Sequence, residues 1–445
     1  MKTEQSGLLW RLAIPVMIAM LIQSIYNIAD SYFIGKSSLE SLTALSIIFP
    51  IQLLMQALST GTGVGMNLLI SRMDGEGSRG TETIMKCGFC AEIINTIVFT
   101  GLGLLLMRAY YGISSDNSIV CENGVAYARI ILLFSLGMFI EAGATKILQA
   151  RGNMILPMIA QIAGAVTNIV LDPLLIFGLG GLPKLGIRGA AIATVAGQWV
   201  AMAIVLLCLF RRESFLRAEV RWKTIERIYR NGFSSIIMQS LYTLYIVGLN
   251  LILKMFSEDA VTVLGIYYKL QTFFFIPLLG LQQAIVPIIS YHYGAAQLDK
   301  AKEILYAALK FSVGIMAVGA VIFWLFPAQL LCIFSTDAGI LEIGCLALRV
   351  IAVSFLPAAI TLIVTVFFQG VNRPKTSIWM TIWRQIFLFV PLAWLFHYFG
   401  LSFVWLTFPC TECIVAGMGM VWYRRWSRHA CDGKEIICRQ NSSND

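Results

Sequence analysis

Asp30 and Asp172 are acids set in apolar sequence, and each has polar company at helical spacing. Gln23, Tyr26 and Asn27 precede Asp30 by seven, four and three residues, and Asn168 precedes Asp172 by four. On a helix such offsets share one face. Pro173 follows directly. It has no backbone donor for the carbonyl of Ile169, so it frees that carbonyl and can bend the helix. Carboxylate, amide oxygen and freed carbonyl are hard oxygen ligands, suited to a hydrated proton or to Na+. A hydroxyl from a neighbouring helix would complete the set. The bland alternative is two buried, protonated acids bonded to their neighbours.

Other ionisable residues stand in or near apolar runs. Glu92, Glu141 and Glu412 are expected within a few turns of a membrane interface, in structural or snorkelling roles. Lys269 and Arg384 are open between ion pairing and ligand contact, and Arg349 is unassigned. Tyr26, Tyr242, Tyr245, Tyr268 and Phe273 could present aromatic faces to flat organic cations. With Gln23, Asn27 and Arg384 they form the expected ligand-contact set. Packing or lipid contact is the competing reading for each aromatic. Cys87-x-x-Cys90 and Cys410-x-x-Cys413 have metal-like spacing but no nearby histidine, and read as small packing residues.

The elements that must carry these residues are membrane helices. Of 445 residues, 58% are hydrophobic and 13% charged, with a mean hydropathy of +0.78. A soluble domain would carry about a quarter charged residues. Long charge-free stretches, such as 41–71, 231–253 and 270–298, exceed the ~20 residues that a helix needs to cross a bilayer. Nothing alternates as barrel strands do. The first apolar run, from near Leu12, lacks a small-residue cleavage pattern, so the first helix is expected to stay.

Twelve spans are expected: 12–35, 44–70, 87–108, 124–146, 154–178 and 189–211, then 232–255, 262–291, 308–333, 341–367, 376–398 and 402–424. The fold class is therefore an all-α polytopic membrane protein. Assigning alternate loops to the side of the termini places 24 of the 33 Lys and Arg there and five on the other side. That bias puts both termini in the cytoplasm of a cell inner membrane. The net charge of +9 follows from topology, and nucleic acid is not a partner. Arg11 and Arg230, Ser71 and Ser290, and Gly75 and Gly294 are each 219 residues apart. Two parallel six-helix bundles, related by a pseudo-twofold along the membrane normal, are expected. The division is a lobe at 1–210, a linker at 211–231, a second lobe at 232–426 and a polar tail at 427–445. In this register Asp30 falls on Leu249, Asn168 on Leu388 and Asp172 on Leu392. The polar set belongs to one half only.

At Gln149-Ala-Arg-Gly152-Asn153, Asn168-Ile-Val-Leu-Asp172-Pro173 and Leu185 to Thr194, the sequence resembles the multidrug and toxic compound extrusion (MATE) family. Pro15, Asp30 and Gly35 resemble that family's first helix. The resemblance spans all twelve predicted segments. It implies cation-coupled export of organic molecules by alternating access, with Asp30, Asn168, Asp172 and Thr194 as the coupling site. Pro15 and Pro173 would give the helices places to bend. No acid lies in 232–255, and 341–367 has only Glu342 at its edge, which favours the DinF-like branch. The coupling ion, H+ or Na+, stays open. No cofactor is expected. The partners are small organic substrates and the lipid bilayer, and the chain is expected to be monomeric. A lipid-linked oligosaccharide flippase of the same superfamily is the alternative; it would favour a cationic cavity. A membrane-embedded enzyme is disfavoured by the absence of DDxxD, GxSxG, HExxH and P-loop motifs.

Overall fold

The computed structural model describes residues 2–115, 117–212, 215, 217–334 and 337–431. Its regular elements are helices. In the first half they are α1 (Lys2–Ser37), α2 (Leu39–Glu76), α3 (Thr81–Ser114), α4 (Ser118–Leu133), α5 (Leu136–Ala150), α6 (Ile155–Phe177) and α7 (Ile187–Arg212). α8 (Trp222–Lys254), α9 (Glu258–Gly294), α10 (Leu298–Leu325), α11 (Pro327–Cys332), α12 (Ala338–Ala352) and α13 (Phe355–Gly370) follow. Then come α14 (Pro374–Ile382), a π-helical stretch (Trp383–Phe389), α15 (Val390–His397), α16 (Leu401–Val404) and α17 (Thr407–Cys431). Among the described residues, ten helical stretches are long and apolar enough to cross a membrane. Two bent pairs, α4 with α5 (47°) and α12 with α13 (49°), bring the number to twelve if each pair is one span. This is the expected all-α polytopic fold. The expected span at 308–333 breaks near Phe326, where Pro327 starts the short α11.

The internal repeat recurs in local chemistry. Ser38 caps α2 by accepting the amide of Ser41, and Ser257 caps α9 by accepting that of Ala260. Asn117 and Asp337 cap α4 and α12 in the same way. Each side-chain oxygen satisfies an amide that the helix start leaves open. The two bends fall at Phe134–Ser135 and Val353–Ser354, and left-handed backbone recurs at Gly152 and Asn372. All these pairs keep the 219- or 220-residue spacing read from the sequence.

The chain forms two compact units. One takes Trp10–Ser240; the other takes Leu241 onward with the first nine residues. The boundary falls inside α8. The first turns of α8 belong to the first unit, where Gly232 lies backbone-to-backbone against Gly61: a Cβ on Gly232 would be 2.2 Å from the carbonyl oxygen of Gly61. Within 211–231, read as a linker, α8 is already helical from Trp222. The buried Cys87 thiol accepts the amide of Arg221 at 3.2 Å, tying this segment to α3. Most of the tail read at 427–445 (432–445) lies outside the described residues.

α6 and α7 are the site-bearing pair, and glycine sets how close they come. A Cβ on Gly197 would lie 2.5 Å from the carbonyl oxygen of Gly164 and 3.3 Å from Cβ of Asn168. A backbone carbonyl cannot swing away as a side chain can. Gly197→Val is therefore expected to push α6 from α7, destabilising the protein by about 1–3 kcal/mol. Thermal unfolding of the purified variant in detergent, beside its efflux rate, checks this. Unchanged stability would mean that the two helices are not in backbone contact.

Candidate functional site

In the first unit α1, α6 and α7 bring the polar set together. Asp30, Asn168, Asp172 and Thr194 are all buried, Asp172 completely. Asn168 Nδ2 donates to Asp172 Oδ1 at 3.4 Å and to Thr194 Oγ1 at 3.4 Å. The one amide thus spans both groups, as the four-residue spacing on α6 required. Asp30 and Asp172 are close enough to interact electrostatically, and the phenol of Tyr26 lies near both. Three buried oxygens of this set have no hydrogen-bond partner among the described residues: Asp30 Oδ1, Asn168 Oδ1 and Asp172 Oδ2. Buried polar atoms are seldom left so. Two carboxylates in a low-dielectric interior repel each other, and a proton or a small cation between them removes that cost. With Thr194 Oγ1 the donors are all oxygen, which suits H+ or Na+ rather than a soft metal.

Two participants escaped the sequence reading. Tyr127 on α4 is buried beside Asp30 and Tyr26, interacts with Thr194 and accepts a hydrogen bond from Gln52 Nε2 at 3.3 Å. A tyrosine in an apolar run looks like packing until its neighbours are known. Glu141, expected near an interface, interacts with Tyr26, accepts the hydroxyl of Thr145 at 2.8 Å and interacts with Lys146. Of the remaining α1 residues, Gln23 is half-buried and Asn27 exposed. Pro15 lies inside α1 without ending the helix, and Pro173 does so in α6.

In the second unit the expected ligand contacts separate. Tyr245 is buried and stacks on Phe389 with centroids 4.7 Å apart; Tyr242 meets it edge-on at 5.5 Å and is 39% exposed. Tyr268 is half-buried beside Tyr267, whereas Phe273 is exposed. Arg384 lies in the π-helical stretch and forms an ion pair with Glu412: Nη2 is 2.6 Å and Nε 2.8 Å from Oε1. Of the two open readings for Arg384, the ion pair is present. Snorkelling does not hold for Glu412 or Glu92, since both are buried. Lys269 is exposed and sits over the ring of Phe334 at 5.7 Å. Leu249, paired with Asp30, is buried within its unit. No cluster of three metal-ligating side chains occurs among the described residues.

The comparisons with known proteins agree with this architecture. The chain is 25% identical over 434 residues to a FAD transporter of Shewanella oneidensis, covering 93% of each chain. It is 27% identical over 444 residues to the multidrug export protein MepA of Staphylococcus saprophyticus, covering 96% of this chain and 95% of that one. Among solved structures, a MOP superfamily transporter from Pyrococcus furiosus superposes with a TM-score of 0.89 at 25% identity, over 96% of each chain. An outward-facing multidrug resistance MATE family transporter gives 0.89 at 26% identity, over 96% of this chain and 97% of that one. The family model described as MatE matches residues 15–174 and 234–395, one stretch in each half of the repeat, and the chain belongs to this family of multi-pass membrane transporters.

Proposed function

We propose that the chain is an antiporter, exchanging inward H+ or Na+ for the export of amphipathic, often cationic organic compounds by alternating access. The observation that carries this reading is the buried oxygen set of Asp30, Asn168, Asp172 and Thr194, with three oxygens lacking partners. Its restriction to the first unit is the second support, since the repeat puts leucine opposite Asp30, Asn168 and Asp172. It also keeps the DinF-like branch as the favoured one. A bound ion shifts the balance between two states only if it binds them differently. Pro15 and Pro173 are the proposed bending points that change the site between states. Gln23, Tyr26, Asn27, Tyr242, Tyr245, Tyr268 and Phe273 are the proposed substrate contacts. The protein works as a monomer in the cell inner membrane, without a cofactor.

The test is efflux of ethidium from liposomes carrying the purified protein, with pH and sodium gradients imposed separately. One gradient should drive efflux and its collapse should stop it. Efflux that ignores both gradients, or loss of a cell-envelope glycolipid in a deletion strain without any change in dye accumulation, would refute the reading. The latter result favours the flippase.

The orientation gives a further prediction. Both termini face the cytoplasm, so a cysteine placed in 180–186 should react with an impermeant maleimide from outside. One placed in the segment 217–221 should not. External labelling of 217–221 in intact cells would reverse the orientation.

A second cargo is favoured by one observation. Arg384, mostly buried and ion-paired with Glu412, has its guanidinium 5.7 Å from the ring centre of Phe389 and close to Tyr242 and Tyr245, so an anion would have to share it with or displace Glu412. That surrounding suits an aromatic anion, and FAD, the cargo named for the Shewanella oneidensis relative, is one. Competition between FAD and ethidium in the same liposomes separates the two.

A further inference from the structure

We propose that Glu92 is a second proton-binding site of this transporter, separate from Asp30 and Asp172, and that its proton state is passed to α8 through Asn95 and Tyr229. The proposal rests on the antiport reading and adds a second station to it.

Glu92 lies on α3 with none of its surface exposed. Among the described residues Oε1 has no hydrogen-bond partner, and Oε2 is held only by Asn95 Nδ2 at 3.4 Å. An intramembrane carboxylate so poorly bonded is costly when charged and marks function more often than packing. The space beside Oε1 is left by glycine: a Cβ on Gly143 would lie 3.2 Å from Cγ and 3.6 Å from Oε1 of Glu92. The neighbour facing the carboxylate, Asn95 Nδ2, is a donor and not an oxygen ligand. A proton on Oε1 therefore satisfies this site better than Na+ does.

The surroundings make the proton state legible to the fold. Asn95 Nδ2 also donates to Thr62 Oγ1 on α2 at 3.0 Å, while Asn95 Oδ1 accepts the hydroxyl of Tyr229 on α8 at 2.7 Å. Asn95 is thus a hinge pin between three helices. With Glu92 protonated, its amide is free to stay on Thr62. With Glu92 ionised, the charge draws the amide, and the Tyr229 hydroxyl with it. Tyr229 is the ionisable group that interacts with Glu92; on α5, which meets Glu92 through Gly143, Glu141 and Lys146 interact with each other, and Lys146 Nζ donates to Gln149 Oε1 at 2.9 Å.

The contact partner is α8, the helix in which the boundary between the two units falls. α8 begins in the first unit and ends in the second. Its start is in backbone contact with α2: a Cβ on Gly65 would be 2.1 Å from the carbonyl oxygen of Ile228. Within the first unit, a shift at Tyr229 therefore acts on an α8–α2 contact made by backbone and not by side chains. Depth gives the direction. Glu92 is about 17 Å along α3 and Asp172 about 26 Å along α6, both measured from helix starts on the side of the termini, at ~1.5 Å per residue. Glu92 is the station nearer the cytoplasm in the proposed orientation, where a proton leaves during export.

The test is ethidium efflux in liposomes with internal and external pH varied independently, using Glu92→Gln, Glu92→Asp and Asp30→Asn. Wild-type protein should respond to both pH values. Glu92→Gln should still bind ethidium, turn over about tenfold more slowly and lose the response to pH on the cytoplasmic face. Glu92→Asp should regain that response. A wild-type response in Glu92→Gln overturns the proposal, as does a deficit that Glu92→Asp does not repair. If Glu92→Gln does not reach the membrane, Tyr229→Phe carries the test, and an unchanged cytoplasmic-side response there is equally decisive against it. Full activity in Asp30→Asn, by contrast, removes the coupling reading itself.

Discussion

Asp30→Asn and Asp172→Asn are each expected to reduce gradient-driven efflux to the passive leak, while the protein still inserts and binds substrate. Asparagine keeps the shape of the side chain but can carry neither the charge nor the exchangeable proton. The ion then has no differential affinity for the two states and cannot drive their interconversion, however tightly substrate binds. The repeat supplies the control. Leu249→Asn and Leu388→Asn put an amide at the positions paired with Asp30 and Asn168 in the other half, where no coupling role is proposed. Both should keep coupling if they fold. The measurement is efflux rate per inserted protein for all four variants. Equal loss in all four would show that the polar set is not special to the first unit.

The second large effect concerns stability. Arg384 and Glu412 form a mostly buried ion pair, with side chains 12% and 3% exposed. Both Arg384 contacts go to Oε1, and Glu412 Oε2 has no partner. Removing one member strands the other in a low-dielectric interior, a loss of about 3–5 kcal/mol for such pairs. Arg384→Met should therefore lower the unfolding temperature sharply. Arg384→Met combined with Glu412→Gln should recover most of the loss, because no charge is then stranded. Thermal unfolding of the two singles and the double closes the cycle. A single variant as stable as wild type would mean that water reaches the pair freely.

Periodicity and charge patterning made the helices legible. The spans, the half-repeat and the shared face of Asn168 and Asp172 are all consequences of spacing along one chain. The repeat also indicated where bends and caps recur, since Ser38 and Ser257 perform the same local task. Partners on other helices were not legible in the same way. Tyr127, Glu92 and Glu412 stand in largely apolar runs, and although Asn95 lies at helical spacing from Glu92, their meaning depends on which helix they face. Glu92 acquires one only beside Asn95 and Tyr229, 134 residues apart in sequence. Arg384 could have been a ligand contact or an ion-pair member, and no pattern within its own helix decides between them. Thr194 entered through the family resemblance, because a lone threonine in Ala-rich sequence carries no signal of its own.

The most direct measurement of the central claim is ion movement driven by substrate. Liposomes loaded with wild-type protein are given an ethidium gradient and no ion gradient, and internal pH and 22Na+ are followed. Ethidium flowing one way should drive H+ or Na+ the other way. Asp30→Asn and Asp172→Asn, inserted to the same level, should drive none. Ion movement persisting at the wild-type rate in Asp172→Asn would contradict the claim.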